Sequence, residues 1–173
     1  MDALEIKGAQ RWRDGRASYR PLREVIDPAR YDVLPIPSDT EAKAFVQAHH
    51  YSGSYPAARR RFGLYEDGLL VGVAVFSQPM HASVLGNFFA AEASACVELG
   101  RFVLLDEVPA NAESFFLARA FKQLKAEGFA GVLAFSDPVQ RTTGAGTVIF
   151  RGHVGCIYQA TNAHYLGRSK ALT

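Results

Sequence analysis

Residues 95–105 read ACVELGRFVLL, and residues 111–127 read NAESFFLARAFKQLKAE. The first run is apolar on both strand parities, the pattern of a strand covered on both faces. In the second, Phe116, Leu117, Ala120, Phe121 and Leu124 recur at helical spacing, with Asn111 at the cap position and Gly128 after the last turn. A buried strand, a turn through Asp106–Ala110, a helix and another apolar run at Gly131–Ser136 place the chain among α/β proteins. Glu98 and Arg101 interrupt the first strand, where an ionised group is costly unless it is paired or turned towards a ligand. Their strand parity is opposite, so on a regular strand each needs its own partner.

Upstream, Leu69–Phe76 (LLVGVAVF) is a second fully apolar strand, joined to Arg61–Tyr65 by the hairpin signal Glu66-Asp67-Gly68. Asp32–Ile36 reads as a short strand stopped by prolines. Ser38-Asp39-Thr40-Glu41 has the capping-box spacing of a helix start, and the helix runs out at His49-His50-Tyr51. Two adjacent histidines at a helix end point in different directions. Either gains from the helix dipole when charged, and either can serve as a base or a metal ligand. Downstream, Val148–Phe150 suits a short strand or helical turn, Val154–Thr161 a short helix and Tyr165–Arg168 a last strand. Asn111, Glu113, Ser114 and the free amides at the second helix start form an arrangement that receives anions or carbonyls.

The 173 residues suit one domain with a sizeable core. We divide them into a basic arm, residues 1–30, and a single catalytic domain, residues 31–173. The arm carries Arg11, Arg13, Arg16, Arg20, Arg23 and Arg30 without sustained periodicity, and a short strand is expected near Ala3–Ile6. Such a segment is either solvated or folds onto phosphates. The net charge is only +2, so overall charge does not announce nucleic acid. Two cysteines point to a reducing compartment, and neither a signal peptide nor a membrane span is evident. The expectation is a soluble cytoplasmic protein.

Chemistry-bearing side chains crowd into Phe135–Gly167 (FSDPVQRTTGAGTVIFRGHVGCIYQATNAHYLG), among glycines that let backbone approach a ligand. With the upstream set, the candidates are His49, His50, Tyr51, Ser52, Arg101, Ser114, Asp137, His153, Tyr158 and Tyr165. Walker loops, G-x-S-x-G elbows, C-x-x-C pairs and H-E-x-x-H helices are absent from the sequence. Five histidines with one or two carboxylates can build a mononuclear iron or zinc site, or can be structural and acid–base groups instead.

The order of elements resembles the GNAT acyltransferase fold, a mixed, mostly antiparallel twisted sheet flanked by helices. In that family the strand before the central helix and the helix N-terminus hold the acyl-CoA pyrophosphate, and a tyrosine of the last short helix protonates the departing thiolate. Tyr158 falls at the tyrosine's place, whereas LDEVP at residues 105–109 lacks the glycines of the pyrophosphate loop. HHYSGSYP (49–56), ELGRFVLLDEVPANAES (98–114), SDP (136–138) and GHVGCIYQATNAHYLG (152–167) together resemble the Mom DNA-modification proteins of phage Mu and its relatives.

That resemblance implies conversion of adenine in double-stranded DNA to an N6-carbamoylmethyl form, which blocks restriction. It implies iron for some relatives and leaves the donor open between acetyl-CoA and another acyl or aminoacyl compound. On this reading His49 or His50 with Tyr51 takes the amine proton. Arg101, Asn111 and Ser114 hold the donor, Asp137 orients the amine or a histidine, and Tyr158 is the acid. His50 and His153 are the candidate metal ligands, with His153 alternatively a second base. Arg59, Arg60 and Arg61 hold phosphates, and Tyr55 or Tyr165 stacks on an extruded base. The competing expectations are an ordinary acetyl-CoA-dependent N-acetyltransferase and a non-catalytic DNA-binding module.

Overall fold

A computed structural model describes residues 8–21, 23–79, 83–153 and 155–169. The chain opens with a hairpin of β1 (Ala9–Arg13) and β2 (Arg16–Arg20), closed by Asp14 and Gly15, both in the left-handed region. After a 3₁₀ turn come β3 (Tyr31–Pro35), α1 (Asp39–His49), β4 (Ala58–Glu66) and β5 (Leu69–Ser77). A short α2 (Ser83–Gly86) leads to β6 (Cys96–Leu104), α3 (Ala112–Ala126) and β7 (Gly131–Leu133). A two-stranded ribbon, β8 (Arg141–Thr142) and β9 (Val148–Phe150), precedes α4 (Cys156–Ala160).

The central sheet has five strands in the order β3-β4-β5-β6-β7, antiparallel except for the parallel β6–β7 pair. The mixed, mostly antiparallel sheet flanked by helices is therefore as expected. β5 is buried on both faces from Val71 to Ser77. On one face Phe62, Leu64, Ala74, Phe76 and Val97 meet Phe116, Leu117, Ala120 and Leu124 of α3. On the other, Val73, Val75 and Val103 meet Ala42 and Val46 of α1. The β4–β5 turn uses Asp67 and Gly68 with positive φ at both, the geometry whose twist suits a two-residue hairpin. Helix α3 stops in a Schellman arrangement: Gly128 (φ 91°) donates to the Lys125 carbonyl and Phe129 to that of Leu124.

Four local expectations are corrected. Ser38 has the extended backbone of a cap, but its hydroxyl makes no cap bond; Asp39 and Glu41 supply the negative charge in the first turn. Asn111 does not cap α3 with its side chain, because its Oδ1 accepts the Ile26 amide. Tyr165–Arg168 is exposed and irregular, not a strand. The arginine-rich N-terminal stretch is not an irregular arm from residue 9 onward but a docked hairpin; the strand expected at Ala3–Ile6 lies outside the described residues.

Pairing within the sheet sets up the site. β6 pairs with β7 only from Cys96 to Glu98. Beyond Glu98 the two part, and β6 continues beside β5 alone. Between Val75 and Phe76 the β5–β6 register shifts by one, leaving Gly100 as a bulge. A Cβ at Gly100 would fall on the buried Ser77 hydroxyl. The extra residue reverses the phase of the strand, so Glu98 (opposite Ser77) and Arg101 (opposite Val75) share a face after all.

Candidate active site

Where β6 and β7 diverge lies a cavity of about 660 Å³. Its floor is Glu98–Leu104 of β6. One wall comes from the β1–β2 hairpin (Gly8–Trp12 and Tyr19), the end of α1 with Tyr51, and the start of α3. A second wall comes from Phe135–Asp137, Phe150–His153, and Gly155–Tyr158 with Ala160, and it joins the first where Phe150 meets Tyr51. A volume of this size is typical of a small-molecule or cofactor pocket. His49, His50, Tyr51, Arg101, Asn111, Ser114, Asp137, His153 and Tyr158 all line it, although His49 and Tyr158 are more than a hundred positions apart in the chain.

Backbone geometry holds the second wall. Gly152 has φ 80°, and a Cβ there would run into the Pro138 carbonyl, so the chain just after β9 can pass this close to the 136–138 turn only as glycine. His153 donates its amide to the Asp137 carbonyl (2.8 Å), and the Asp137 amide donates to His153 Nε2 at 3.4 Å. The Asp137 carboxylate accepts from Arg141 (2.7 Å) and from the Val139 amide (3.1 Å). Arg141 in turn lies over the rings of Tyr51 and Phe150. Asp137 thus orients an arginine, not a histidine side chain.

Aromatic rings form a pile along the cavity. His50 stacks on Tyr51 (4.4 Å between centroids) and Tyr51 on Phe150 (4.6 Å). Trp12 meets Tyr51 and Phe150 edgewise at 6.0 and 6.4 Å. His49 turns the other way, onto Phe45, so the two histidines diverge as their positions at a helix end require.

Burial sets the protonation states, and of the expected roles it alters that of His50. Burial, with the Arg101 cation next, pushes His50 down to about 3, so its imidazole is neutral. Its Nδ1 accepts the Ser52 amide (3.1 Å), which fixes the hydrogen on Nε2. Among the described residues Nε2 has no partner, so His50 offers a donor rather than a base. Burial also lowers His153, against an opposing pull from Asp137. Burial raises Tyr51, and it pushes Tyr158 up to about 12, so both phenols stay protonated. The Tyr158 hydroxyl donates to the Phe135 carbonyl at 3.3 Å.

Sequence reasoning flagged Glu98 as costly but gave it no role. Here it is half-buried in the cavity floor without a hydrogen-bond partner among the described residues, and burial raises its pKa. Of the carboxylates on the cavity, Asp137 is tied to Arg141 and Glu113 to Arg11, which leaves Glu98 to accept a proton. Trp12 and Phe150 were also missed. The signal for the first was the Asp14-Gly15 dipeptide, a strong hairpin marker obscured by the surrounding arginines.

Residues expected to hold a donor are engaged elsewhere. Arg101 donates Nε to the Ser54 carbonyl (2.9 Å) and a terminal nitrogen to the Ser54 hydroxyl, clamping the His50–Ser54 turn. Ser114 donates to the Asn111 carbonyl. At the start of α3, the Ala110 amide is taken by Glu24 (3.0 Å), and the buried Arg11–Glu113 pair fills the adjoining space. The expected phosphate run is likewise occupied. Arg59 binds the Ser94 and Cys96 carbonyls, Arg60 pairs with Glu127, and Arg61 pairs with Asp39. None of the three lines the cavity, nor does Tyr165, which is exposed. Tyr55 is bound to Asp39 through its hydroxyl.

The donor set for a metal is poor. Among the described residues no group of three or more His, Cys, Asp or Glu side chains could hold an ion. A ligating imidazole normally donates its other nitrogen's hydrogen outward. His50 and His153 instead each accept a backbone amide on one ring nitrogen. The pair as arranged does not fit an iron site.

No helix among the described residues is long and apolar enough to cross a membrane. Among curated proteins none matches the chain. The model of the Mom protein family matches residues 30–173, which include all the cavity walls except the N-terminal hairpin with Gly8 before it. The chain belongs to the Mom protein family, whose members modify DNA.

Proposed function

We propose that this protein is a phage or prophage enzyme that converts adenine in double-stranded DNA to its N6-carbamoylmethyl form in the host cytoplasm, shielding the DNA from restriction. The observation that carries the reading is the convergence on one cavity of an unpaired carboxylate, Glu98, a protonated phenol, Tyr158, and a neutral imidazole donor, His50.

The N6 amine of adenine is a weak nucleophile because its lone pair is delocalised into the ring. The base must leave the stack to be reached, and its proton must go to an acceptor as the new bond forms. Glu98 takes that proton while N6 bonds to the electrophilic carbon of the donor. The bond from that carbon to its leaving group breaks, and Tyr158 protonates the departing atom. The Nε2–H of His50 holds an acceptor atom of base or donor. Asp137 and Arg141 keep the Tyr51–Phe150 wall in place. Catalysis of this kind supplies about 10²–10⁴-fold per acid or base group.

The acetyltransferase reading is weakened by the start of α3. There Glu24 and Glu113 put the chain's own carboxylates where a pyrophosphate would sit. Nucleoside mass spectrometry of DNA from cells expressing the protein tests the proposal. A deoxyadenosine heavier by one carbamoylmethyl group is expected, absent with Glu98→Gln and with Tyr158→Phe while circular dichroism is unchanged. Unmodified adenine with wild-type protein, alongside saturable acetyl-CoA binding by calorimetry, would transfer the assignment to acetyl transfer.

A further inference from the structure

The family match begins at residue 30, yet the cavity does not. Gly8–Trp12 forms part of its wall, and strand β1 is anchored along the β6–α3 junction by groups that are costly to bury unpaired. Arg11, 5% exposed, pairs with Glu113 and also donates to the Leu105 (3.3 Å) and Val108 (3.3 Å) carbonyls. Arg13 pairs with Asp106 at 2.9 Å. A strand held this firmly sets the position of its neighbour, Trp12, against Tyr51 and Phe150.

Tyr51 already has rings on both sides, so its faces are closed to a ligand. Trp12 only touches the pile edgewise and remains partly exposed on the cavity. An indole at a cavity wall is a surface on which a planar heteroaromatic ring stacks, independently of hydrogen-bond pattern. We propose that the N-terminal hairpin is part of the active site and that Trp12 is a substrate-contacting residue, stacking on the extruded base. This rests on the adenine reading above and adds to it a residue outside the matched segment.

Trp12 is the single tryptophan of the chain, so its emission reports this contact alone. A short duplex carrying one adenine opposite an abasic site, already unpaired and ready to leave the stack, is titrated into the protein. The same duplex with that adenine replaced by a second abasic residue is the comparison. The adenine duplex should change the emission saturably, and the comparison duplex should not. Trp12→Ala should weaken binding of the adenine duplex by about tenfold, the loss expected for one stacked base, with comparison binding unchanged. Trp12→Phe should restore most of it.

Identical emission responses to the two duplexes would overturn the role of Trp12, and so would wild-type adenine modification in cells expressing Trp12→Ala. If Trp12→Ala does not fold, the two wild-type titrations still decide. Should wild-type protein leave cellular adenine unmodified and bind both duplexes alike, the adenine reading itself fails. Modification by wild type with no emission difference sinks only the Trp12 contact.

Discussion

Gly152 and His50 show how much single residues constrain this pocket. At Gly152 a side chain would need both a left-handed backbone and space taken by the Pro138 carbonyl. Gly152→Ala should cost about 2–4 kcal/mol in urea unfolding, combining left-handed strain with a backbone clash. His50 makes a pH prediction. Its folded pKa, about 3, lies below the unfolded value, so its contribution is fully present above about pH 6.5 and is lost as pH falls towards 3. His50→Gln should therefore flatten the decline of Tm between pH 6.5 and 4; an unchanged slope would show that the imidazole is not buried neutral. Glu98 has the opposite sign. Its raised pKa means that stability is lost as pH rises through the folded value, so Glu98→Gln should raise Tm at neutral pH while abolishing modification. Residue chemistry was partly legible in advance: Tyr158, Asp137 and the histidine pair were recognised by type and position. The protonation states of the histidines were not, because they depend on burial and on backbone amides that only folding supplies.

At the scale of elements, the Arg11–Glu113 pair joins the β1–β2 hairpin to the first turn of α3. Both side chains are buried, and Glu113 Oε2 lacks a partner among the described residues even so. Arg11→Met alone should destabilise by about 3–5 kcal/mol, since it leaves a buried carboxylate uncompensated. The double change Arg11→Met, Glu113→Leu should recover most of that loss in a denaturation cycle. A double variant as unstable as the single one would place the cost in lost packing instead. Elements with plain periodicity were legible from the chain: β5 by its unbroken apolar run, α3 by its stripe and Gly128, the β4–β5 turn by Asp67-Gly68. The N-terminal hairpin was not, because its buried residue is an arginine and hydropathy assigns such a segment to solvent. The shared face of Glu98 and Arg101 was also hidden. A bulge adds one residue without a reliable mark in composition, and Gly100 alone does not announce it. Tyr165–Arg168 failed for the reverse reason, since a suitable strand composition found no sheet edge to pair with.

For the molecule as a whole, the modest net charge and the internal use of arginine bear on DNA binding. Arg11, Arg20, Arg30, Arg60, Arg61 and Arg141 are in ion pairs, and Arg59 is spent on carbonyls. Few guanidinium groups are left to displace counterions. The slope of log K against log salt for duplex binding should be shallower than about −4, compared with about −10 for a protein with many phosphate contacts. A steep slope would mean that these pairs open on DNA.

The docked hairpin has a further consequence, for the order of events during synthesis. Arg11 and Glu113 are separated by 102 positions in the chain. At ribosomal speeds of roughly 5–20 residues per second, β1 emerges about 5–20 s before its partner exists. Throughout that interval a strand carrying a tryptophan and a buried-type arginine must wait in solvent or on a chaperone. The strands made first thus lock only after the start of α3 has emerged, and the cavity's second wall, from Phe135 to Tyr158, is made later still.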